Sequence, residues 1–267
     1  MNDFLIGVCD AMPLDSIGNA PFVSKDIQKR INPQAIMQNA KSIIVVAVPY
    51  QKNIIDTQSG AGVVSSLAVN NDYHKIVKNV LYNIAIEQDI KNYKILVDSP
   101  YLDEKAFAQM AGIGYYGRNG LIITEKYGTK CNLGLLITDK YIMPATQNIN
   151  HCPIYCRLCI NACPTSAISD NGFNYKICIS YLTQKAELTP KEEKLINNNL
   201  YGCDICQNAC PKNKSEIYYA DPEKWFILSD SEWQELYGHT AILWQGSKIL
   251  KRNAKVVINN LTHKKQI

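Results

Sequence analysis

The sequence predicts an α+β fold, in which a mixed α/β domain precedes a cysteine-rich module and short C-terminal helices. Two observations predict it. Short β-branched runs alternate with amphipathic segments in the first half of the chain, and eight of the ten cysteines lie between Cys152 and Cys210. We therefore divide the 267 residues into an α/β domain over 1–146, a cysteine-rich module over 147–219 and a basic helical segment over 220–267.

Five short runs in the first domain have strand composition, with turn residues nearby. They are Phe4–Val8, Ser42–Val48, Lys94–Val97, Leu121–Thr124 and Asn132–Thr138. Apolar residues at helical spacing predict an amphipathic helix over 73–90, and a second helix is predicted over Asp103–Ala111, ended by Gly112. Ser229 suits the N-cap of a further helix that reaches Tyr237. The irregular connections argue against a doubly wound sheet.

The cysteines form two runs that each close on Cys-Pro. The first run contains Cys152, Cys156, Cys159 and Cys163, and the second contains Cys178, Cys203, Cys206 and Cys210. A cubane [4Fe–4S] cluster takes four thiolates, and in two-cluster ferredoxins the last cysteine of each run binds the other cluster. The two runs therefore predict a ferredoxin-like module with two [4Fe–4S] clusters.

Zinc is the alternative metal, but it usually takes two separated Cys-x-x-Cys pairs rather than runs of this kind. Disulfides would need a secreted chain, and the N-terminus has no export signal. One spacing is irregular, because three residues rather than two separate Cys152 from Cys156. Either the loop bulges by one residue, or Cys152 is a loose ligand of a labile cluster.

Composition adds expectations about location and partners. No apolar stretch approaches the roughly 18–20 residues of a membrane span, and cysteines used as thiolates indicate a reducing cytoplasm. Cys9 and Cys131 lie in apolar contexts and are expected in the core. Four basic residues near the C-terminus, at helical spacing, predict a polyanion-binding face, although an ordinary solvated helix has the same pattern. They are Lys248, Lys251, Arg252 and Lys255.

Asp98 follows an apolar run and precedes a Pro turn. A carboxyl at a strand end that faces a pocket can be desolvated and act as a proton donor, whereas an Asx-turn or a helix cap is the structural alternative. Asp103 and Glu104 fall on the following helix, and their substitution is expected to be nearly neutral for the catalytic rate. The glycines between Gly112 and Gly120 indicate either a close approach to a flat cofactor or a flexible hairpin.

Several segments together resemble the epoxyqueuosine reductase family, which uses cobalamin and iron–sulfur clusters in tRNA queuosine biosynthesis. The resemblance covers Phe4 to about Asn260 and is carried by Asp72–His74, Asp98–Ala108, Gly112–Asn119, Cys163–Ile168, Cys178–Thr183 and Tyr201–Gln207. It implies a cobalamin-binding-type first domain and a short form of the family without its C-terminal helical repeats. The sequence departs from the family pattern at two further places. The spacing of Cys152 and Cys156 is one residue longer, and a basic residue is expected in the family where this chain has Val69–Asn71.

The resemblance implies an oxidoreductase that reduces epoxyqueuosine to queuosine at the tRNA wobble position, with electrons passing through both clusters to cobalamin. Asp98 is the implied catalytic acid. The implied cofactor-binding residues are His74, Ser99, Gly114, Gly117, Arg118 and Asn119. The implied partners are the tRNA anticodon arm and an electron donor such as a flavodoxin or a ferredoxin, and a monomer is expected. The alternatives are a corrinoid-dependent reductase of a small molecule and a ferredoxin-like electron-transfer protein.

Overall fold

A computed structural model of the chain describes residues 3–12, 32–51, 60–144 and 151–264. These residues form two compact units whose segments alternate along the sequence. The first unit comprises Met1–Pro49, His74–Arg157 and Asp170–Phe173, and the second comprises Tyr50–Tyr73, Leu158–Ser169 and Asn174–Ile267. The sequence-based division at residues 146 and 219 stays a prediction.

The described strands and helices have the following bounds. The strands are β1 (Leu5–Asp10), β2 (Ser42–Pro49), β3 (Gly62–Val64), β4 (Tyr93–Leu96), β5 (Tyr115–Tyr116), β6 (Ile122–Ile123), β7 (Cys131–Thr138), β8 (Ile168–Ser169), β9 (Gly172–Phe173), β10 (Asn199–Tyr201) and β11 (Tyr218–Ala220). The α-helices are α1 (Tyr73–Glu87), α2 (Glu104–Met110), α3 (Leu158–Ala162), α4 (Ile179–Leu182), α5 (Pro190–Ile196), α6 (Ile205–Asn208), α7 (Pro222–Ile227), α8 (Asp230–Tyr237) and α9 (Ser247–Lys264).

The first unit is built on a four-stranded sheet in the order β1-β2-β7-β4, with every neighbouring pair antiparallel. Strand β2 is buried along nearly its whole length, as expected of a strand that is covered on both faces. Alternate residues of β2 pack with Phe107 of α2, while Gly134 of β7 lies against Val77 and Leu81 of α1. The α1 and α2 helices therefore hold the ends of the strands in fixed positions.

The predicted elements of this unit are confirmed, with ends shifted by a few residues. The helix predicted over 73–90 is α1, and Gly112 follows α2 with a φ of 64°, the left-handed conformation expected after a helix end. Cys9 is a buried core residue and Cys131 packs against the same core, as predicted. Burial raises the pKa of each of these two thiols to about 12, and Asp10 adds to the effect at Cys9.

The second unit contains a three-stranded sheet in the order β10-β3-β11 and the helices α7, α8 and α9. Its core is aromatic: the Trp225 and Trp233 rings meet edge-on at 5.0 Å, and Trp225 Nε1 donates a hydrogen bond to the Tyr237 hydroxyl at 3.0 Å. Ser229 caps α8 in a capping box with Glu232, which confirms the predicted helix start. No helix in the described ranges is long and apolar enough to cross a membrane.

Candidate metal centre and active-site residues

Five cysteines from both runs lie close enough within the second unit to affect one another's pKa. Besides burial, which is the largest cause, repulsion from Cys178 and Cys163 raises the pKa of Cys203, and repulsion from Cys163 raises the pKa of Cys178. Repulsion from Cys203, Cys178 and Cys159 likewise raises the pKa of Cys206. The closeness of Cys163, the last cysteine of the first run, to Cys178 and Cys203 of the second agrees with the crossed pattern of a two-cluster ferredoxin, and the assignment of each cysteine to a cluster stays a prediction.

The environment of these thiols is strongly desolvating. Burial, and then the neighbouring thiolates, raise the pKa of Cys203 to about 12, and burial with the same kind of repulsion raises the pKa of Cys206. Iron binding replaces the thiol protons, because only a thiolate is a ligand. Such a concentration of thiolates is unfavourable unless a cationic centre compensates it, which fits a metal cluster.

Backbone N–H groups point at the same sulfurs. Burial raises the pKa of Cys163, but a hydrogen bond from the Thr165 hydroxyl and backbone N–H groups of Thr165, Ala167 and Ile168 outweigh it, so that the pKa is lowered overall. The Thr165 Oγ1 lies 3.6 Å from Cys163 Sγ. Hydrogen bonds to the ligand sulfurs are among the features that set the reduction potential of an iron–sulfur cluster. The assignment of Cys163, Cys178, Cys203 and Cys206 to one cubane is consistent with these surroundings and stays a prediction.

The described residues contain no group of three or more His, Cys, Asp or Glu side chains at the spacing of a single metal ion. A cubane does not require that spacing, because each of its thiolates binds a different iron atom. A cavity of about 550 Å³ lies in the second unit and is lined in part by Pro164, Thr165, Asp204 and Ile205, which flank the cluster cysteines. This volume is in the usual range of small-molecule pockets.

In the first run, a turn lies between the irregularly spaced Cys152 and Cys156. Cys156 N donates to Pro153 O at 2.9 Å, so that Pro153–Cys156 forms a tight turn. Both Cys152 and Cys156 are partly buried. Whether Cys152 is a ligand of the first cluster stays a prediction.

Asp98 lies just after β4, in a left-handed conformation with a φ of 52°, which aspartate adopts more readily than most residues other than glycine. Its Oδ2 is 3.8 Å from His74 Nε2, and the two side chains are 70% and 33% exposed. The distance is too long for a hydrogen bond but close enough for electrostatic attraction when the imidazole is protonated. The pair thus presents an exposed carboxylate beside a partly open imidazole, both accessible to a ligand.

The helix-cap alternative for Asp98 is wrong, because Asp103 caps α2. Asp103 Oδ1 accepts hydrogen bonds from Lys105 N and Ala106 N at 3.0 and 3.3 Å, and its Oδ2 accepts one from the Tyr116 hydroxyl at 3.3 Å. The Asp103 carboxylate is buried and has three partners, so its substitution is expected to lower stability, while the prediction that it is nearly neutral for the rate stays a prediction. Glu104 Oε1 accepts from Ser99 N at 3.2 Å and so helps to hold the turn that follows Asp98.

Four of the predicted cofactor-binding residues have structural roles within the protein. A Cβ on Gly114 would overlap the Ile123 carbonyl oxygen, and one on Gly117 would overlap Asn119 and Ile123, so both glycines are required by the β5–β6 hairpin. Asn119 Oδ1 accepts from the backbone N–H of residue 121 at 3.2 Å, and Ser99 Oγ accepts from that of residue 101 at 3.2 Å. The hairpin accounts for the two glycines and Asn119, Ser99 stabilises the turn before α2, and contact of these residues with a cofactor stays a prediction.

Arg118 points towards the first cysteine run. Its Nη2 donates to the Ile154 carbonyl oxygen inside the Cys152–Cys156 loop, and its Nη1 lies 3.8 Å from Asp170 Oδ1. The side chain is only 18% exposed. A cofactor-binding role for Arg118 stays a prediction, and the contacts that the structure shows are with the cluster loop.

The four basic residues all lie on α9, as predicted, but they have different surroundings. Lys248 and Lys255 are exposed. Lys251 Nζ is 3.1 Å from Asp230 Oδ1, and Arg252 Nη1 donates to the carbonyl oxygens of Lys185 and Ala186 at 2.6 and 3.0 Å. Arg252 therefore stabilises the fold of the second unit, and Lys248 and Lys255 are the residues best placed to meet a polyanion.

Comparison with known proteins agrees with this geometry. Residues 151–213 match the family described as "4Fe-4S double cluster binding domain", and residues 30–99 match "Epoxyqueuosine reductase QueG, DUF1730". The epoxyqueuosine reductase of Staphylococcus aureus is 34% identical over 256 residues, which cover 87% of this chain and 67% of that protein. The chain belongs to the epoxyqueuosine reductase family. It spans about two thirds of the length of the curated relatives it matches.

Solved structures of the family match nearly the whole chain. A Bacillus subtilis epoxyqueuosine reductase, crystallised with its catalytic aspartate loop swung out of the active site, has a TM-score of 0.81 at 28% identity. An epoxyqueuosine reductase with an epoxyqueuosine-modified tRNA-Tyr stem loop has a TM-score of 0.80 at 28% identity. Each match covers 96% of this chain and 77% of the other. The predicted family and fold class are therefore confirmed, and so is the double-cluster module, in preference to zinc.

Sequence reasoning missed three residues that shape these sites. The N-cap role of Asp103 had a signal, because an Asp directly before a helical run is a standard start. Thr165 has the weaker signal of a hydroxyl two residues after a ligand cysteine. Asp170 had none, since its contact with Arg118 joins residues that are far apart in the chain.

Proposed function

We propose that this protein reduces epoxyqueuosine to queuosine in tRNA, taking electrons through two [4Fe–4S] clusters to cobalamin. The observation that carries the proposal is the crossed set of Cys163, Cys178, Cys203 and Cys206 in a chain of the epoxyqueuosine reductase family. A pair of cubanes supports serial one-electron transfer. The solved relative with an epoxyqueuosine-modified stem loop supports tRNA as the substrate.

The reaction requires both electrons and protons. Conversion of an epoxide to an alkene takes up two electrons and two protons and releases the oxygen as water. The clusters deliver the electrons singly, and cobalamin, when bound, supplies the reducing centre at which they are used together. The protein must therefore provide a proton at the leaving oxygen.

Asp98 is the residue proposed to donate that proton. Its carboxyl is exposed at the end of β4, so a bound cofactor and nucleoside would cover it and exclude water from it. His74 Nε2 lies 3.8 Å from Asp98 Oδ2. Exclusion of water by the bound cofactor and nucleoside would favour the protonated carboxyl, which is the form that donates. The relative whose catalytic aspartate loop is swung out of the active site supports an aspartate on a loop as the catalytic residue, and Asp98 likewise lies in a loop, directly after β4.

The electron donor, the oligomeric state and the compartment belong to the same proposal. A small acidic carrier such as a flavodoxin or a ferredoxin would supply low-potential electrons to the clusters, and one chain carries both cysteine runs, so a monomer suffices. Free thiolate ligands are maintained in a reducing cytoplasm. The anticodon arm would meet α9 through Lys248 and Lys255, the exposed members of its basic face.

The test is turnover with a defined substrate. Protein reconstituted anaerobically with iron, sulfide and cobalamin should convert the epoxyqueuosine of a tRNA anticodon stem loop to queuosine, detected as loss of one oxygen from the nucleoside by mass spectrometry. Reduction of the free nucleoside at an equal rate would refute tRNA as the substrate. Reduction without cobalamin would refute the proposed electron path.

A further inference from the structure

The loop that joins Cys152 to Cys156 is held in an unusual way. It turns through the hydrogen bond from Cys156 N to Pro153 O, and the two residues at the tip of the turn, Ile154 and Tyr155, are 73% and 92% exposed. Side-chain packing at the tip therefore contributes little to its position. A loop of this kind must be fixed through its backbone if both cysteines are to bind one cluster.

Arg118 supplies such a backbone contact. Its Nη2 donates a hydrogen bond to the Ile154 carbonyl oxygen. Its Nη1 forms an ion pair with Asp170 Oδ1 at 3.8 Å. Asp170 Oδ2 also accepts a hydrogen bond from Arg157 Nη1 at 2.5 Å, and Arg157 directly follows Cys156. Asp170 thus links two parts of the loop. It contacts Arg118, which binds the tip of the loop, and it also contacts Arg157, which follows Cys156 at the end of the loop.

The Arg118 side chain is placed for these contacts at an energetic cost. Its Nε is buried and has no hydrogen-bond partner among the described residues, although Nη1 and Nη2 are both engaged. A buried donor without a partner destabilises the folded state. Arg118 follows Gly117 in the β5–β6 hairpin, whose backbone is fixed by the hydrogen bonds of Asn119 and by Lys105 Nζ, which donates to Gly120 O at 3.0 Å. The guanidinium is therefore presented from a rigid base.

We propose that Arg118 and Asp170 form a bridge that positions Cys152 and Cys156 for the first cluster and compensates for the extra residue between them. Arg118 is a positioning residue in this account. Its planar guanidinium reaches a carbonyl and a carboxylate at once, which a lysine ammonium cannot do with the same geometry. The inference rests on the two-cluster part of the proposed function and not on the substrate.

The test isolates the first cluster. In a Cys163→Ser background, which removes a ligand of the second cluster, the remaining iron of the reconstituted protein should belong to the first. Arg118→Met in that background should lower bound iron at least about twofold, or speed its loss to a chelator at least about tenfold. Asp170→Asn should act in the same direction, and because Asp170 is 52% exposed it should fold normally. Lys126→Met, which breaks the exposed pair with Asp3, is the control.

The midpoint potential of the first cluster separates the effect of the positive charge of Arg118 from the effect of its two contacts. The guanidinium stabilises the added electron, so any first cluster that remains in Arg118→Met should have a more negative midpoint potential by EPR-monitored titration. Arg118→Lys should keep the potential close to that of the parent, while iron loss stays fast. If Arg118→Met and Asp170→Asn both retain parental iron content and chelation rates, or if Arg118→Lys restores them, the bridge is refuted. Tests of tRNA turnover remain separate, because these readouts measure the cluster alone.

Discussion

Replacement of Asp98 by asparagine tests the proposed proton donor. Asparagine has nearly the same shape and tolerates the left-handed conformation, which Asp98 adopts with a φ of 52°. The carboxylate is 70% exposed, and the asparagine amide oxygen can accept hydrogen bonds in its place. We therefore expect the free energy of unfolding to change by less than about 0.5 kcal/mol, with cluster and cobalamin content unchanged.

The rate should fall much more than the stability. Removal of a general acid typically costs about 10²–10⁴ in rate, which corresponds to about 2.7–5.5 kcal/mol in the activation barrier. The assay is anaerobic single turnover with saturating epoxyqueuosine stem loop, so that binding and product release do not mask the chemical step.

The matched control is Asp89→Asn. Asp89 is also an exposed aspartate in a left-handed conformation, with a φ of 49°, and it pairs with Lys91. This variant should keep the parental rate. A rate for Asp98→Asn within about threefold of the parent, or an equal loss in both variants, would show that the carboxylate of Asp98 is not the proton donor.

Three further predictions follow from the structure. Cys163→Ser and Cys206→Ser should each reduce iron from about eight to about four per chain, and the double variant should still hold about four, because crossed ligation puts both residues on one cluster. Replacing Lys248 and Lys255 by glutamine should weaken tRNA binding and reduce its salt slope by about one to two. Asn253→Ala should destabilise the protein by about 2–4 kcal/mol in urea unfolding, because the buried Asn253 Nδ2 donates to the Thr183 and Leu200 carbonyl oxygens at 2.7 and 2.8 Å.

Each of these predictions has a control. A double cysteine variant without iron would indicate that the two residues bind different clusters. For tRNA binding, Lys91→Gln with Lys126→Gln removes the same charge from the first unit, and an equal change in salt slope would contradict a specific role for α9. The exposed Asn259 lies on the same helix as Asn253, and Asn259→Ala should leave stability unchanged.

The sequence was sufficient for the parts of the structure that local patterns determine. The amphipathic period of α1, the Ser229 capping box and the cysteine runs are all signals carried by neighbouring residues. Local patterns also gave the cluster module, because ligand spacing is a local property. The resemblance, rather than the residue patterns, supplied cobalamin and tRNA.

Contacts between distant residues could not be predicted in this way. Arg118 was assigned to a cofactor by motif, and its contacts with Ile154 and Asp170 depend on how the hairpin and the cluster loop meet. Arg252 was grouped with its basic neighbours by spacing, yet its guanidinium binds backbone carbonyls at the end of a separate segment. Spacing shows which residues share a helix face but does not show what that face packs against.

The most direct test of the account is one anaerobic experiment on the reconstituted protein. Iron and sulfide should each reach about eight per chain, and with cobalamin and a reductant the epoxyqueuosine of a tRNA stem loop should lose one oxygen to give queuosine. Stoichiometric zinc without sulfide, or two intact clusters and bound cobalamin that leave the epoxide unchanged, would contradict it.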